Sequence, residues 1–170
     1  FQSGDIIVAV DEEETADNAA FLAILAEKRA GDRMQVRFRR TGKLQTLAVA
    51  LKAKPLETGD GYRVTYASVT NPAGDFRQRT ILTRPSGDGP FPAVLMLQGG
   101  QTCFQVDDPF GNRPTPFVRV AQHLGRHGYV TLRLERPGCE DSEGGPLSLV
   151  DFETELAGCL EALRSVRQLD

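Results

Sequence analysis

Hydrophobic and polar positions change period several times along the chain. Ile6, Val8 and Val10 alternate with Ile7 and Ala9 after a Ser-Gly-Asp turn, which predicts a strand. An acidic connection, Glu12–Asp17, follows, with Asp17 or Thr15 placed to cap a helix. Phe21, Ile24, Leu25 and Lys28 then fall at helical spacing, and Gly31 closes that helix. Met34–Arg40 and Gln45–Leu51 alternate as strands around the hairpin turn Thr41-Gly42-Lys43. Further on, Tyr62–Thr70 and Arg77–Thr83 read as two strands joined by a turn at Asn71–Asp75. Ala93–Leu97 is an unbroken apolar run with no position suited to water, and it predicts a strand covered on both faces, as in parallel sheets. It opens into Gln98-Gly99-Gly100-Gln101-Thr102, which puts bare backbone N–H groups at the carboxyl end of a sheet, where open α/β sheets bind ligands.

Beyond that loop, Phe104–Pro116 has three prolines and no periodicity, a length and texture typical of functional loops. Phe117, Val120, Ala121 and Leu124 mark a helix closed by Gly128, and Tyr129–Leu134 is another strand. A polar loop, Glu135–Gly145, ends at Ser148-Leu149-Val150-Asp151, which has capping-box form. Leu149, Phe152, Leu156, Leu160 and Leu163 give the next helix an apolar stripe, and Glu153 and Glu155 suit its dipole. Hairpin, strand, helix, strand, helix is the order of an α/β fold, with a parallel strand due next. Lys52–Gly61 carries Pro55, Gly59 and Gly61 among charged residues, so a domain boundary is expected there: 1–55, a linker 56–61, then 62–170.

Composition excludes more than it suggests. The 170 residues carry a net charge of −3, and Arg37, Arg39 and Arg40 alternate along a strand as a solvated face, so no nucleic-acid partner is expected. No apolar run is long enough to span a bilayer. The chain begins at Phe1 and reads as a piece of something longer, which leaves its compartment open. Cys103, Cys139 and Cys159 are odd in number and scattered, which argues against a disulfide framework and against zinc; they read as small apolar filler. His123 and His127 lie four apart but lack a third ligand and read as surface or helix-end residues. No cofactor and no metal are expected. Asp107 and Asp108 read as solvated loop residues as readily as functional ones.

Gly4–Asp11, the helix ending in Gly31-Asp32 and the hairpin at Arg40–Lys43 resemble the second half of a bacterial PDZ domain, over about residues 1–55. PDZ domains add a peptide terminus as a strand beside one helix. The resemblance implies a peptide terminus as partner and a groove near Asn18 and Ile24; the competing reading makes Phe21, Ile24 and Leu25 simply core. The carboxylate-binding loop and second strand of that family are expected before Phe1.

Residues 62–170 resemble the N-terminal half of an α/β-hydrolase, a three-layer αβα sandwich. Gln98-Gly99-Gly100 sits where many such enzymes have His-Gly-X, and Pro137–Gly144 where they often have Gly-x-Gly-x-Ser-x-Gly, with Glu140 in place of a usual glycine. The text around Glu135-Arg136-Pro137-Gly138, Asp141–Gly144 and Asp151–Glu155 is similar to a bacterial subgroup of serine hydrolases that also carry PDZ segments. The resemblance implies a small-molecule acyl substrate and a backbone oxyanion donor from the loop after the third strand. Gly100 is the first candidate and Gln101 the next; the alternative is that the glycines merely permit a turn. No Gly-x-Ser-x-Gly occurs in the chain, and Ser142, set among carboxylates, reads as a loop-structuring hydroxyl. The expectation is therefore a serine hydrolase fragment whose triad lies past Asp170, inactive and poorly stable alone. The alternative is a PDZ peptide binder with a non-catalytic scaffold. Nucleotide binding is disfavoured, because a proline-rich loop, not a helix, follows the glycines.

Overall fold

The computed structural model describes residues 1–99, 103, 105–108, 111 and 114–168. The chain divides into Phe1–Lys54 and Pro55–Asp170.

In the first unit, β1 (Ile6–Val10), β2 (Glu13–Glu14), β3 (Arg33–Arg40) and β4 (Lys43–Ala50) form an antiparallel sheet in the order β2-β1-β3-β4. The acidic connection thus contains a two-residue strand. The hairpin between β3 and β4 turns through Thr41 (φ 46°) and Gly42 (φ 82°), two positive values of the kind that match strand twist. The helix α1 (Asn18–Ala26) starts at Asp17, whose side chain accepts the Ala20 N–H at 2.8 Å. It ends earlier than expected: Gly31 instead enters the turn into β3, donating its N–H to the Leu51 carbonyl. Val10, Ile24, Met34 and Val36 make the core, with Phe21 and Leu25 against it. Arg40 grips Asp5 with two hydrogen bonds of 2.7 Å, which ties the start of the unit to the end of β3.

The second unit holds β5 (Tyr62–Asn71), β6 (Phe76–Pro85), β7 (Ala93–Met96), α2 (Pro116–Arg126), β8 (Val130–Leu134) and α3 (Phe152–Val166). Its sheet runs β5-β6-β8-β7; β7 and β8 are parallel and the other pairs antiparallel. Here the reading of Ala93–Leu97 needs correction. Among the described residues β7 is an edge strand, with Ala93 and Leu97 exposed, and β8 is the strand buried at every position. Alternation along β8 sorts its two faces. Leu132 and Leu134 join Val69 and Ala162 in an apolar cluster on the α3 side. Thr131 and Arg133 point the other way, toward the face that α2 approaches at Thr83. The result is a helix on each face of the sheet.

Both helices differ in phase from the sequence reading. Thr115 caps α2 with Pro116 behind it, but the buried side is Val118, Ala121 and Gly125, and Val120 is exposed. In α3 the reversal is larger. Phe152, Leu156, Leu160 and Leu163 are exposed, and Gly158 and Ala162 face the sheet. The physical reason is the amide pair beneath: Asn71 Nδ2 donates to Gln78 Oε1 at 2.7 Å and to the Thr154 carbonyl at 2.8 Å, so α3 is drawn in on its small residues. Its cap is Asp151, accepting from Thr154 N–H at 2.8 Å, while Leu147–Leu149 is a short 3-10 turn; the capping box read from Ser148 does not form.

A Cβ at Gly158 would lie 2.0 Å from Gln78 Oε1, and that amide is held from both ends. Glycine to alanine inside a helix ordinarily gains roughly 0.5–1 kcal/mol; Gly158→Ala should instead lose about 1–3 kcal/mol, read from urea denaturation. Hydrogen bonding to Arg40 holds the Asp5 carboxyl down at about 2, from an ordinary 3.8. A depressed carboxyl stabilises the fold fully above its unfolded pKa and loses that contribution as pH falls through the folded one. Asp5→Asn should therefore flatten the melting temperature's fall between about pH 4 and 2, measured by thermal scans across that window.

Candidate functional site

Parallel strands β7 and β8 end side by side, and segment 105–108 of the loop that leaves β7 meets Glu57, which precedes β5. On β6 and β8, Arg79, Thr83, Thr131, Arg133 and the following Glu135 share one face of the sheet. All five are buried. A polar face of this kind is stable only if every charge finds partners, and two guanidinium groups organise them.

Arg133 is fully buried. It donates to both oxygens of Glu57 at 2.8 and 3.0 Å, to the Val106 carbonyl at 2.7 Å and to Thr83 Oγ1 at 3.1 Å. Glu57 also accepts the Asp108 N–H at 2.9 Å. Glu57 comes from the stretch read as linker, and it is one of the most deeply placed carboxylates in the second unit. Arg79 makes the second cluster. It grips Glu135 in a bidentate pair (3.1 and 2.6 Å), and its Nη1 lies 2.8 Å from Asp107 and 2.6 Å from Asp141. Asp107 and Asp108 are buried, so the solvated-loop reading is corrected: the backbone bends inward because Arg79 and Glu57 offer partners there.

Burial pushes the Glu135 carboxyl up, opposed by the Arg79 guanidinium and by the Ser142 hydroxyl and Asp141 N–H that donate to it. Burial also acts to lower Arg79, but its bonds to Glu135 and the charges of Asp107 and Asp141 outweigh that and raise it. Arg79 therefore remains a fixed cation. Ser142 Oγ accepts the Arg79 N–H at 2.8 Å and donates to Glu135 at 3.1 Å, the loop-structuring role expected of it.

The loop after β8 is folded tightly by these contacts. Gly138 N–H donates to the Glu143 carbonyl and Glu143 N–H to the Arg77 carbonyl, each at 2.9 Å. Glu140 stands at φ 47°, the left-handed region that a glycine would occupy without strain, so the loop holds this shape at a conformational cost of roughly 1–2 kcal/mol. Cys103 and Cys139 are joined by a disulfide, with Cα atoms 5.4 Å apart. This corrects the reading of both as filler: spacing along the chain gave no framework, but the folded loops bring the two sulfurs together. Cys159 alone is free and half-buried.

Of the sequence-level site residues, Gly100 and Gln101 lie outside the described residues. Gly99, beside them, has open space where a side chain would stand. Gln98 lines a cavity of about 30 Å³ with Glu135, Pro137 and Cys159. A larger cleft of about 410 Å³ opens beside Arg79, lined by Tyr66, Ser68, Arg77, Asp141 and Glu143. In the first unit Asn18 is exposed at the start of α1, and Ile24 packs into the core with Val10 and Met34. His123 and His127 stack at 4.1 Å on the exposed side of α2. Sequence reasoning missed Glu57, Arg79, Arg133 and the cysteine pair; the available signal was the Thr-Arg-Glu alternation along β8, which resembles a solvated face.

Comparison with known proteins adds to this geometry. Residues 1–51 match the PDZ domain family. No curated protein matches the chain. Among solved structures, a hypothetical protein from Pseudomonas aeruginosa superposes with a TM-score of 0.50 at 18% identity, over 69% of this chain and 34% of that one. The chain thus spans about a third of that protein's length, and the likeness is one of fold. An alpha-amino acid ester hydrolase aligns at 21% identity with a TM-score of 0.37, over 60% of this chain and 19% of that one.

The buried ion pair yields a test by double mutation. Arg133→Met alone leaves Glu57 buried and unpaired and should lose roughly 3–5 kcal/mol. Glu57→Leu combined with Arg133→Met removes both charges and should recover most of that loss. Urea denaturation of both variants checks it; two equal losses would mean that the pair does not carry the segment.

Proposed function

We propose that residues 62–170 form part of a serine hydrolase that cleaves carboxylic esters or related acyl groups, with a PDZ-type peptide-binding unit in front. The observation that carries this reading is the parallel pair β7–β8, whose carboxyl-end loops are anchored by buried ion pairs. Acyl transfer builds an oxyanion, and N–H donors stabilise it only if they are fixed beforehand. In this reading Gly100 supplies one donor, with Gln101 next to it, and the loop Pro137–Gly145 walls the site on its other side. The nucleophile, its acid and its histidine are not among residues 1–170, so the chain by itself should turn over a nitrophenyl ester only at background rate.

The test is made in a polypeptide that carries this chain together with the triad. Gly100→Val should lower kcat by about 10²-fold with the melting midpoint little changed, because the contact strengthens in the transition state. Gln98→His should be far milder. Lost stability with kcat per folded molecule intact would make the loop a mere turn and remove the assignment.

The second reading is a PDZ peptide binder fused to a non-catalytic scaffold, favoured by the family match over residues 1–51. It predicts background ester turnover in any polypeptide containing the chain, together with binding of a free peptide terminus.

A further inference from the structure

The disulfide joins the two segments that converge on Arg79. Cys103 lies three residues before Val106, whose carbonyl accepts from Arg133 at 2.7 Å, and the next two residues engage Arg79 and Glu57. Cys139 is fully buried in the opposite loop, and its carbonyl accepts the Ser142 N–H at 2.9 Å. Ser142 in turn contacts both Arg79 and Glu135. The bond closes a ring across a sequence separation of 36 that includes α2 and β8. Without it, segment 105–108 is held by the buried Val106 side chain and by charged and polar contacts that water can replace.

We infer that the Cys103–Cys139 disulfide is a redox lock: oxidised, it holds segment 105–108 on the buried arginines and completes the site; reduced, it lets that segment leave. The inference concerns the assembly of the site and stands whether or not the hydrolase reading does. The two sulfurs are not equivalent. Cys103 is exposed and Cys139 is not, so an external dithiol attacks Cys103 Sγ and expels Cys139 as thiolate. The mixed disulfide resolves by attack of the reductant's second thiol, leaving two protein thiols and an oxidised dithiol; two electrons and two protons are transferred. Cys159 is no competitor, because burial pushes its thiol up and it packs in the apolar cluster under α3. Disulfides persist in oxidising compartments, so the locked form belongs to a protein exported from the reducing cytosol.

The experiment uses the whole chain, produced in a bacterial host with and without an export signal. Alkylation under denaturing conditions should label one cysteine in the exported protein and three in the cytosolic one. Amide hydrogen exchange at Asp108, whose N–H donates to Glu57, should accelerate by about 10²-fold on adding a dithiol to the oxidised protein. Exchange at β3, in the first unit, should not change. Cys103→Ser, a change at an exposed position, should show the fast exchange without reductant and no further response to it. Should that variant fail to fold, the reduction of the unmutated chain still gives the readout. Three labelled cysteines in the exported protein would overturn the inference. So would equal exchange at Asp108 with the bond closed and open.

Discussion

A guanidinium with no exposure to water is the constraint around which the second unit is built. Removing such a charge from solvent is unfavourable by several kcal/mol even after relaxation. It persists only when its donors are met. Both terminal nitrogens of Arg133 are met, by Glu57 from before β5, Thr83 from β6 and Val106 from beyond β7, and among the described residues only its Nε lacks a partner. Three segments distant in sequence are thereby fixed to the middle strand. Two methionine-like side chains of similar volume would satisfy burial as well. What they would not do is choose among positions for segment 105–108, because apolar contact is non-directional. The ion pair specifies an arrangement that hydrophobic burial leaves open.

Arg79 repeats the principle on the neighbouring strand β6. Its partners come from β8's end, from segment 105–108 and from the loop after β8. The two arginines sit on the neighbouring inner strands β6 and β8, on the same polar face, and segment 105–108 contacts both through consecutive residues. That segment and the loop Pro137–Gly145 are therefore coupled: displacing Asp107 would unbalance Arg79, and through Glu135 would disturb Ser142 and Asp141. A site on such loops inherits the rigidity of strands, which loops alone do not provide.

Local signals in the sequence read well where the chemistry is local. The turn at Thr41-Gly42, the cap at Asp17 and the closing of α2 near Gly128 depend on residues within a few positions of each other. The burial of β8 does not. Thr131, Arg133 and Glu135 alternate with Val130, Leu132 and Leu134 in a pattern that a half-solvated strand would also show. What distinguishes the two lies outside the strand, in Glu57, read as linker, and in Arg79 on β6. The stripe of α3 fails for a similar reason. Periodicity identifies an apolar face, and Leu156, Leu160 and Leu163 form one, but which face meets the sheet was decided by Gln78 and Asn71 on other elements. Cys103 and Cys139 are legible as a pair only after the loops are folded.

The conformation of Glu140 connects these points. A glutamate in the left-handed region is disfavoured relative to glycine, yet the loop keeps that shape. Its neighbours explain why. Cys139 is covalently held, Asp141 contacts Arg79 through its side chain and Glu135 through its N–H, and Ser142 is bonded on both sides. With residues before and after it fixed, Glu140 has no freedom to relax to negative φ without breaking a buried contact. The strain is maintained by the same contacts that position the loop, so backbone shape here follows from the buried charges and the disulfide more than from the residue that occupies the turn.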